Sequence, residues 1–285
     1  MNPVKSKSKQ TVTCLRMNGI HTIDRSKIHS TLSLIKHDKT GFFTDGKFID
    51  LSSTIQSESN KSRRIHQLYK LTSYITQDVW NLLTIISRLE WQKKLVVEDK
   101  LDNGLWSYFV AIDIYVFHSE LRSIFDYVAK IIQLISNMSE TLSFEKLRNW
   151  ISNPNNVGKI NKELSDLVSS CQWFDDIRTI RNNFIHEGAE SLVFPSKGRI
   201  LFLINTSGYQ KITIPEIMFN ENVIDFELYA GLYMSYIMNY LEEFSEVINK
   251  HLDLNKFHLM AKSYHPGLGI AQEWINKILV YKPET

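Results

Sequence analysis

The chain has 285 residues, 43% of them hydrophobic and 12% aromatic, with 33 basic against 31 acidic side chains and a formal net charge of +2. That is ample apolar material for a packed core, and the near-balance of charge argues against a globally basic nucleic-acid binder, so any such site must be local. Two distant cysteines, Cys14 and Cys171, argue against a disulfide scaffold or thiolate zinc site and fit a reducing cytosol.

The opening "MNPVKSKSKQTVT" is basic with no apolar run behind it, so it does not read as a secretory signal. No uncharged apolar run approaches the ~18 residues that cross a bilayer. The expectation is a cytoplasmic protein without membrane contact. Residues 1–60 are rich in Ser, Thr and Lys and read as a flexible extension carrying a small β-hairpin at "TDGKF", where Asp-Gly sits between apolar flanks. "SSTIQSESNKS" reads as a linker.

Residues 61–253 form the expected helical domain. From Arg64, apolar residues at Ile65, Leu68, Leu71, Val79, Ile86 and Leu89 recur at helical intervals over many turns. "DNGL" breaks this pattern before a second long helix, "WSYFVAIDIYVFHSELRSIFDYVAKIIQLISNM". Two short helices follow, "SFEKLRNWI" and "KINKELSDLVSS", around a turn at "SNPNNVG". A third main helix ends near Gly188, a C-cap residue type. The β insertion, about 191–215, pairs "RILFLI" with "YQKITI" across "NTSG", with "LVF" as a third strand. A last long helix spans about 223–251, and residues 254–285 read as a tail with a short helix at "AQEWINKIL".

The end of the third main helix, "DIRTIRNNFIHEG", is the most informative stretch. At ~100° per residue, Trp173, Ile177, Ile180 and Phe184 share the face toward the bundle. Asn182 and His186, four apart, share a line on roughly the opposite side, with Phe174 and Ile185 as a smaller apolar flank beside them. Arg181 lies at the edge of the buried stripe, where its stem packs and its guanidinium reaches outward.

Arg181-Asn182-Asn183-Phe184-Ile185-His186 resembles the Arg-polar-x-x-x-His signature of the HEPN superfamily (higher eukaryotes and prokaryotes nucleotide-binding domains), in its prokaryotic stand-alone branch. The order of long helices, motif helix and closing helix, about 64–251, is similar as well. With the elements read above, the fold expected is a mainly α, HEPN-like four-helix bundle with an inserted β-hairpin and a small N-terminal β arm, the arm and the C-terminal tail lying outside the resemblance. The resemblance implies a metal-independent endoribonuclease acting as a homodimer, with neither cofactor nor metal, of the kind found among toxins and phage-defence or stress effectors with a neutralising antitoxin partner. Arg181, Asn182 and His186 are the catalytic candidates it implies.

The chemistry suits those residue types. Cleavage of RNA through its own 2′-hydroxyl needs a proton acceptor, a proton donor and positive charge on the phosphorane. Histidine titrates near ~6.5 and can do either proton transfer. Arginine holds a phosphate through two parallel hydrogen bonds, and an amide orients the imidazole or donates to phosphate. Two alternatives stand beside this: a non-catalytic HEPN-fold module that binds RNA, nucleotide or protein, and a His/Arg pair that merely meets the last carbonyls of its helix.

Glu120 on the second helix is the candidate for orienting Arg181 or His186, against a solvated surface role. Asp113 shares its face, Arg122 and Asp126 are spaced to pair, and His118 reads as a packing or surface residue. His21, His29 and His37 lack accompanying carboxylates and do not read as metal ligands. Lys61, Arg63 and Arg64 can meet phosphate or simply solubilise a helix start. Tyr229, Tyr233, Tyr236 and Tyr240 run at helical spacing, which favours core or dimer packing over base stacking.

Overall fold

The structure is a computed structural model that describes residues 23–186, 193–196, 198–203, 214, 217–220, 223–252 and 261–280. It is mainly helical with two small antiparallel sheets. In chain order come α1 (Arg25–Leu34), β1 (Ile35–Asp38), β2 (Gly41–Thr44), α2 (Lys47–Ser57), α3 (Arg63–Val97), α4 (Asn103–Ile135), α5 (Phe144–Ile151), α6 (Lys162–Ser170) and α7 (Phe174–His186). Then follow β3 (Val193–Ser196), β4 (Arg199–Leu203), β5 (Met218–Asn220), β6 (Val223–Asp225), α8 (Phe226–His251), β7 (Ser263–Tyr264) and α9 (Gly267–Val280).

The two longest helices form where the apolar periodicity predicts them, and polar caps set their starts. Ser62 accepts from the Ile65 amide at the head of α3, and Asp102 accepts from the Leu105 amide at the head of α4. Asp99, at φ 53°, breaks the chain between them. Arg64 Nη2 donates to the Ile135 carbonyl at 2.8 Å, satisfying an orphan acceptor at the C-terminus of α4.

The centre of the molecule is α8. Every residue from Phe226 to Leu241 is buried, so this part of the helix is enclosed on all sides, while its last turns are amphipathic, with Glu243, Glu246 and Lys250 exposed. The four tyrosines belong to that core: Tyr229 and Tyr233 are fully buried, Tyr236 and Tyr240 nearly so. Base stacking by them is thereby ruled out.

The N-terminal region differs from expectation. The hairpin turn is Asp38 to Gly41, where Asp38 Oδ1 accepts from the Thr40 amide at 2.9 Å and Gly41 takes φ +127°, a value suited to glycine. Asp45-Gly46 instead leads into α2. There the carboxylate of Glu242, on α8, accepts from the amides of Lys47 at 2.7 Å and Phe48 at 3.1 Å. Asp-Gly is compatible with both roles. The apolar spacing of Phe48, Leu51 and Ile55, all buried, decides for a helix, and α2 takes up the first half of the supposed linker. Upstream, α1 docks on α8 through Thr31 Oγ1 donating to the Ser235 carbonyl at 2.9 Å and Asn239 Nδ2 donating to the Lys27 carbonyl at 2.6 Å.

The C-terminal helix is likewise core material: Trp274, Ile275 and Ile278 in α9 are buried. Its first residue, Gly267, lies so close to the Leu83 carbonyl of α3 that a Cβ would clash. A buried ion network joins α3, α8 and α9. Glu227 accepts from Lys93 at 2.6 Å and from Lys277, and Lys93 also meets Glu90 at 2.7 Å.

The strands after α7 form a sheet in the order β3-β4-β6-β5. β3 and β4 correspond to the expected "LVF" and "RILFLI" strands. "YQKITI" lies outside the described residues except for the buried Ile214, and the expected pairing of "RILFLI" with it is replaced, since the neighbours of β4 are β3 and β6. The pair β5–β6 was not expected, because "FNENVID" carries too few apolar residues to stand out from a loop.

Candidate functional site

α7 is fastened at its N-terminal end. Trp173 packs on Phe125 at 5.2 Å between ring centroids and on Tyr236 at 5.5 Å. The Tyr233 hydroxyl donates to Asp176 at 3.3 Å. Later residues of α7 thus meet earlier residues of α8, so the two helices are antiparallel. Phe117 meets Phe226, His118 meets Tyr229 and Phe125 meets Tyr240, so α4 runs parallel to α8.

It follows that α7 is antiparallel to α4. Arg122 of α4 lies over the Phe174 ring, 5.0 Å from its centroid. Counting ~1.5 Å per residue from there along both helices, Arg181 is about level with Tyr115, and the backbone of His186 about level with Val110.

Of the motif residues, Arg181 and Asn182 are half-buried. Arg181 Nη1 donates to Asn182 Oδ1 at 3.4 Å, a long hydrogen bond between neighbours. His186 is the last residue of α7. Its imidazole, the side chains of Phe184 and Ile185, and Glu187 and Gly188 lie outside what the structure describes. Ile177 and Ile180 are buried as the helical spacing requires.

Phe174 corrects the expectation. It is fully buried and is not part of an exposed flank, because α5 folds over it and Phe144 packs on its ring at 4.7 Å.

Around Phe174 the structure gathers arginines that sequence reading did not connect. Arg148 also lies over the ring, at 5.9 Å. Arg148 pairs with Asp175 at 2.8 Å, Arg178 with Glu145, and Arg122 with Asp126 at 3.4 Å. The last pair fulfils the expectation from its four-residue spacing. Arg178 precedes Arg181 by three residues on the same helix, a signal available from spacing alone. Arg148 reaches the cluster only through the fold of α5.

Glu120 lies at the seam with α3. It accepts from Asn81 Nδ2 at 3.1 Å and shares a hydrogen bond with Asp78. The α4 side chains seen against Phe174 of α7 are Arg122 and Phe125, two and five residues on and thus on other sides of the helix. Asp113 is buried and held by Arg88, whose Nε donates at 3.0 Å. Desolvation still raises its pKa against the lowering influence of that guanidinium.

His118 is fully buried. Its Nδ1 lies 2.7 Å from the Ile114 carbonyl and its Nε2 2.8 Å from the Tyr229 hydroxyl. Those partners select the neutral tautomer with Nδ1 donating and Nε2 accepting. Burial holds its pKa down at about 4.

His29 and His37 are exposed, and His21 lies outside the described residues. Among the described residues no three His, Cys, Asp or Glu side chains are placed to hold a metal ion, and no helix is long and apolar enough to cross a membrane.

Comparison with protein-family models, with curated proteins and with solved structures returns no match.

Proposed function

We propose that this protein is a metal-independent endoribonuclease of HEPN type that works as a homodimer. The observation that carries the reading is the sequence Arg181-Asn182-x-x-x-His186 at the C-terminal end of α7. The arginine and the amide there are already in hydrogen-bonding contact. Two long antiparallel helices, α3 and α4, followed by α7 and α8, support a HEPN-like arrangement.

In this reading the Arg181 guanidinium grips the scissile phosphate in a two-point contact and stabilises the charge that grows on it. Asn182 holds the guanidinium plane through its amide oxygen, leaving its NH2 group for a phosphate oxygen or the imidazole. His186 transfers a proton between the 2′-hydroxyl, the leaving 5′-oxygen and water. One motif has one imidazole. Two motifs brought together supply both the base and the acid, which is why the reading requires a dimer. The resemblance to prokaryotic HEPN proteins suggests a toxin, phage-defence or stress role, which predicts growth inhibition with a neutralising partner protein.

The test is digestion of total cellular RNA in excess EDTA by the wild type, Arg181→Ala and His186→Ala. Cleavage by the wild type alone, leaving 2′,3′-cyclic phosphate ends, is the expected result. Three folded, dimeric and inert proteins would favour a binding module instead.

A further inference from the structure

The outer face of α4 is unusual for a helix at a protein surface. From Asn103 to Ser119 the only Asp, Glu, Lys or Arg is Asp113, and that residue is 2% exposed and paired with Arg88. The positions that do face outward are Leu105 at 49% exposure, Tyr108 at 74%, Phe109 at 42%, Ile112 at 59% and Tyr115 at 41%. Their spacing of three, one, three and three is that of a single helical stripe, about 15 Å long at 1.5 Å per residue. A helix whose function is to meet water carries charges on this face. This one has a second apolar face, opposite the one that packs on the core.

We infer that this stripe is the interface between two copies of the chain, with α4 packed antiparallel on the partner's α4 about a twofold axis near Phe109 and Ile112. A twofold contact sets a surface against itself and so requires one that is self-complementary. An uncharged run of aromatic and aliphatic side chains meets that condition, whereas a charged one repels its own copy. Nucleic acid is a poor occupant, since the stripe offers no cation to a phosphate. The area is sufficient. The five side chains expose roughly 500 Å² per copy, hence on the order of 1,000 Å² across the pair, the size at which specific interfaces separate from incidental contacts.

The geometry has a further consequence, which rests on the ribonuclease reading above. The C-terminal turns of α7 are about level with this stripe. Two copies joined along it therefore bring both Arg181–His186 segments to the flanks of one interface, so the composite site and the dimer share the same helix.

Sedimentation of the full chain at micromolar concentration tests the inference, using the wild type, Tyr108→Glu, Ile112→Glu and, as a control elsewhere on the surface, Val157→Glu, whose residue is 79% exposed. The wild type and the control should sediment at twice 33.3 kDa. Both stripe variants should sediment as single chains while keeping their helical circular dichroism. A monomeric wild type overturns the interface, and so do stripe variants that remain dimeric. RNA cleavage by the same samples separates the two ideas. A dimer that is broken by Ile112→Glu but never cleaves RNA leaves the interface standing and removes the nuclease.

Discussion

Asp78 and Glu120 meet across the seam between α3 and α4, joined by a hydrogen bond although both are carboxylic acids. Asp78 is buried, and its Oδ2 faces no donor, so the contact requires one proton held between two acceptors. Burial, reinforced by the Glu120 charge, pushes the Asp78 pKa up to about 8. The folded pKa is above the unfolded value of ~3.9, so the folded state holds the extra proton. Asp78 therefore favours folding most below pH ~4, and that contribution is lost as pH rises from 4 through 8. Thermal unfolding of the wild type should show Tm falling across this range. Asp78→Asn, which keeps a donor toward Glu120 and cannot ionise, should flatten the profile and melt above the wild type at pH 9. An unchanged slope would mean that the pair does not share a proton.

The ion network under the first turn of α8 yields a second prediction. Glu227 has 6% of its side chain exposed and joins Lys93 and Lys277, while Lys93 is itself only 15% exposed. Removing one partner of a buried pair leaves the other charge without compensation, typically at about 3–5 kcal/mol. Glu90 remains as a partner of Lys93, so Glu227→Ala should lose about 3 kcal/mol in urea unfolding. Lys277→Met should lose well under half of that, because Lys277 is 44% exposed and screened by water.

His118 predicts the acid side of the stability curve. Its folded pKa of about 4 lies below the unfolded ~6.5, so the unfolded state binds the proton first. Stability should fall as pH drops from 6.5 to 4, by on the order of 3 kcal/mol for this one residue. Tyr229→Phe removes the hydroxyl that serves Nε2 at 2.8 Å. It should lose about 1–3 kcal/mol at pH 7, the usual penalty for an unmet buried polar atom. Urea midpoints of both proteins from pH 4 to 8 check the two statements together.

How much of this was legible in the sequence depends on where the deciding contact lies. α3 and α4 follow from periodicity, because the apolar stripe that defines them is local to each helix. The burial of Trp173, Ile177 and Ile180 follows in the same way. The N-terminal region misled because Asp45-Gly46 is a hairpin signal in isolation. The feature that makes it a helix start is Glu242, about two hundred residues away in the chain. α9 reads as a tail because its apolar face is short, and only its packing on α8, α3, α1 and the first hairpin shows what it covers. At the candidate site, the motif was visible as a string of residue types, while the arginines around Phe174 come from three different helices and no spacing rule links Arg122, Arg148 and Arg178. The resemblance points Glu120 toward α7, whereas Asn81 and Asp78, which it meets, belong to α3. The outward face of α4 was visible as a long uncharged run, yet in sequence it cannot be distinguished from a helix buried on both sides.

The sharpest functional prediction concerns Arg181→Lys. Lysine keeps the positive charge, so a role limited to attracting RNA would survive the change with a loss of a few-fold at most. A guanidinium differs by presenting a planar fork that can hold two phosphate oxygens, or one oxygen and the Asn182 amide, at the same time. Arg181 is half-buried beside that amide, with its Nη1 already donating to Oδ1 at 3.4 Å, and an ammonium cannot reproduce both contacts from one position. If the site stabilises a phosphorane, Arg181→Lys should lower kcat by about 10²- to 10³-fold, the scale of losing a preorganised donor to a transition-state oxyanion. KM should change little and Tm should stay within a degree or two. Asn182→Ala should give a smaller loss of the same kind, and the double variant should fall short of the product of the two, because the amide acts through the guanidinium. Full multiplicativity would separate Asn182 from Arg181, and an unaffected kcat in Arg181→Lys would remove Arg181 from the chemistry altogether.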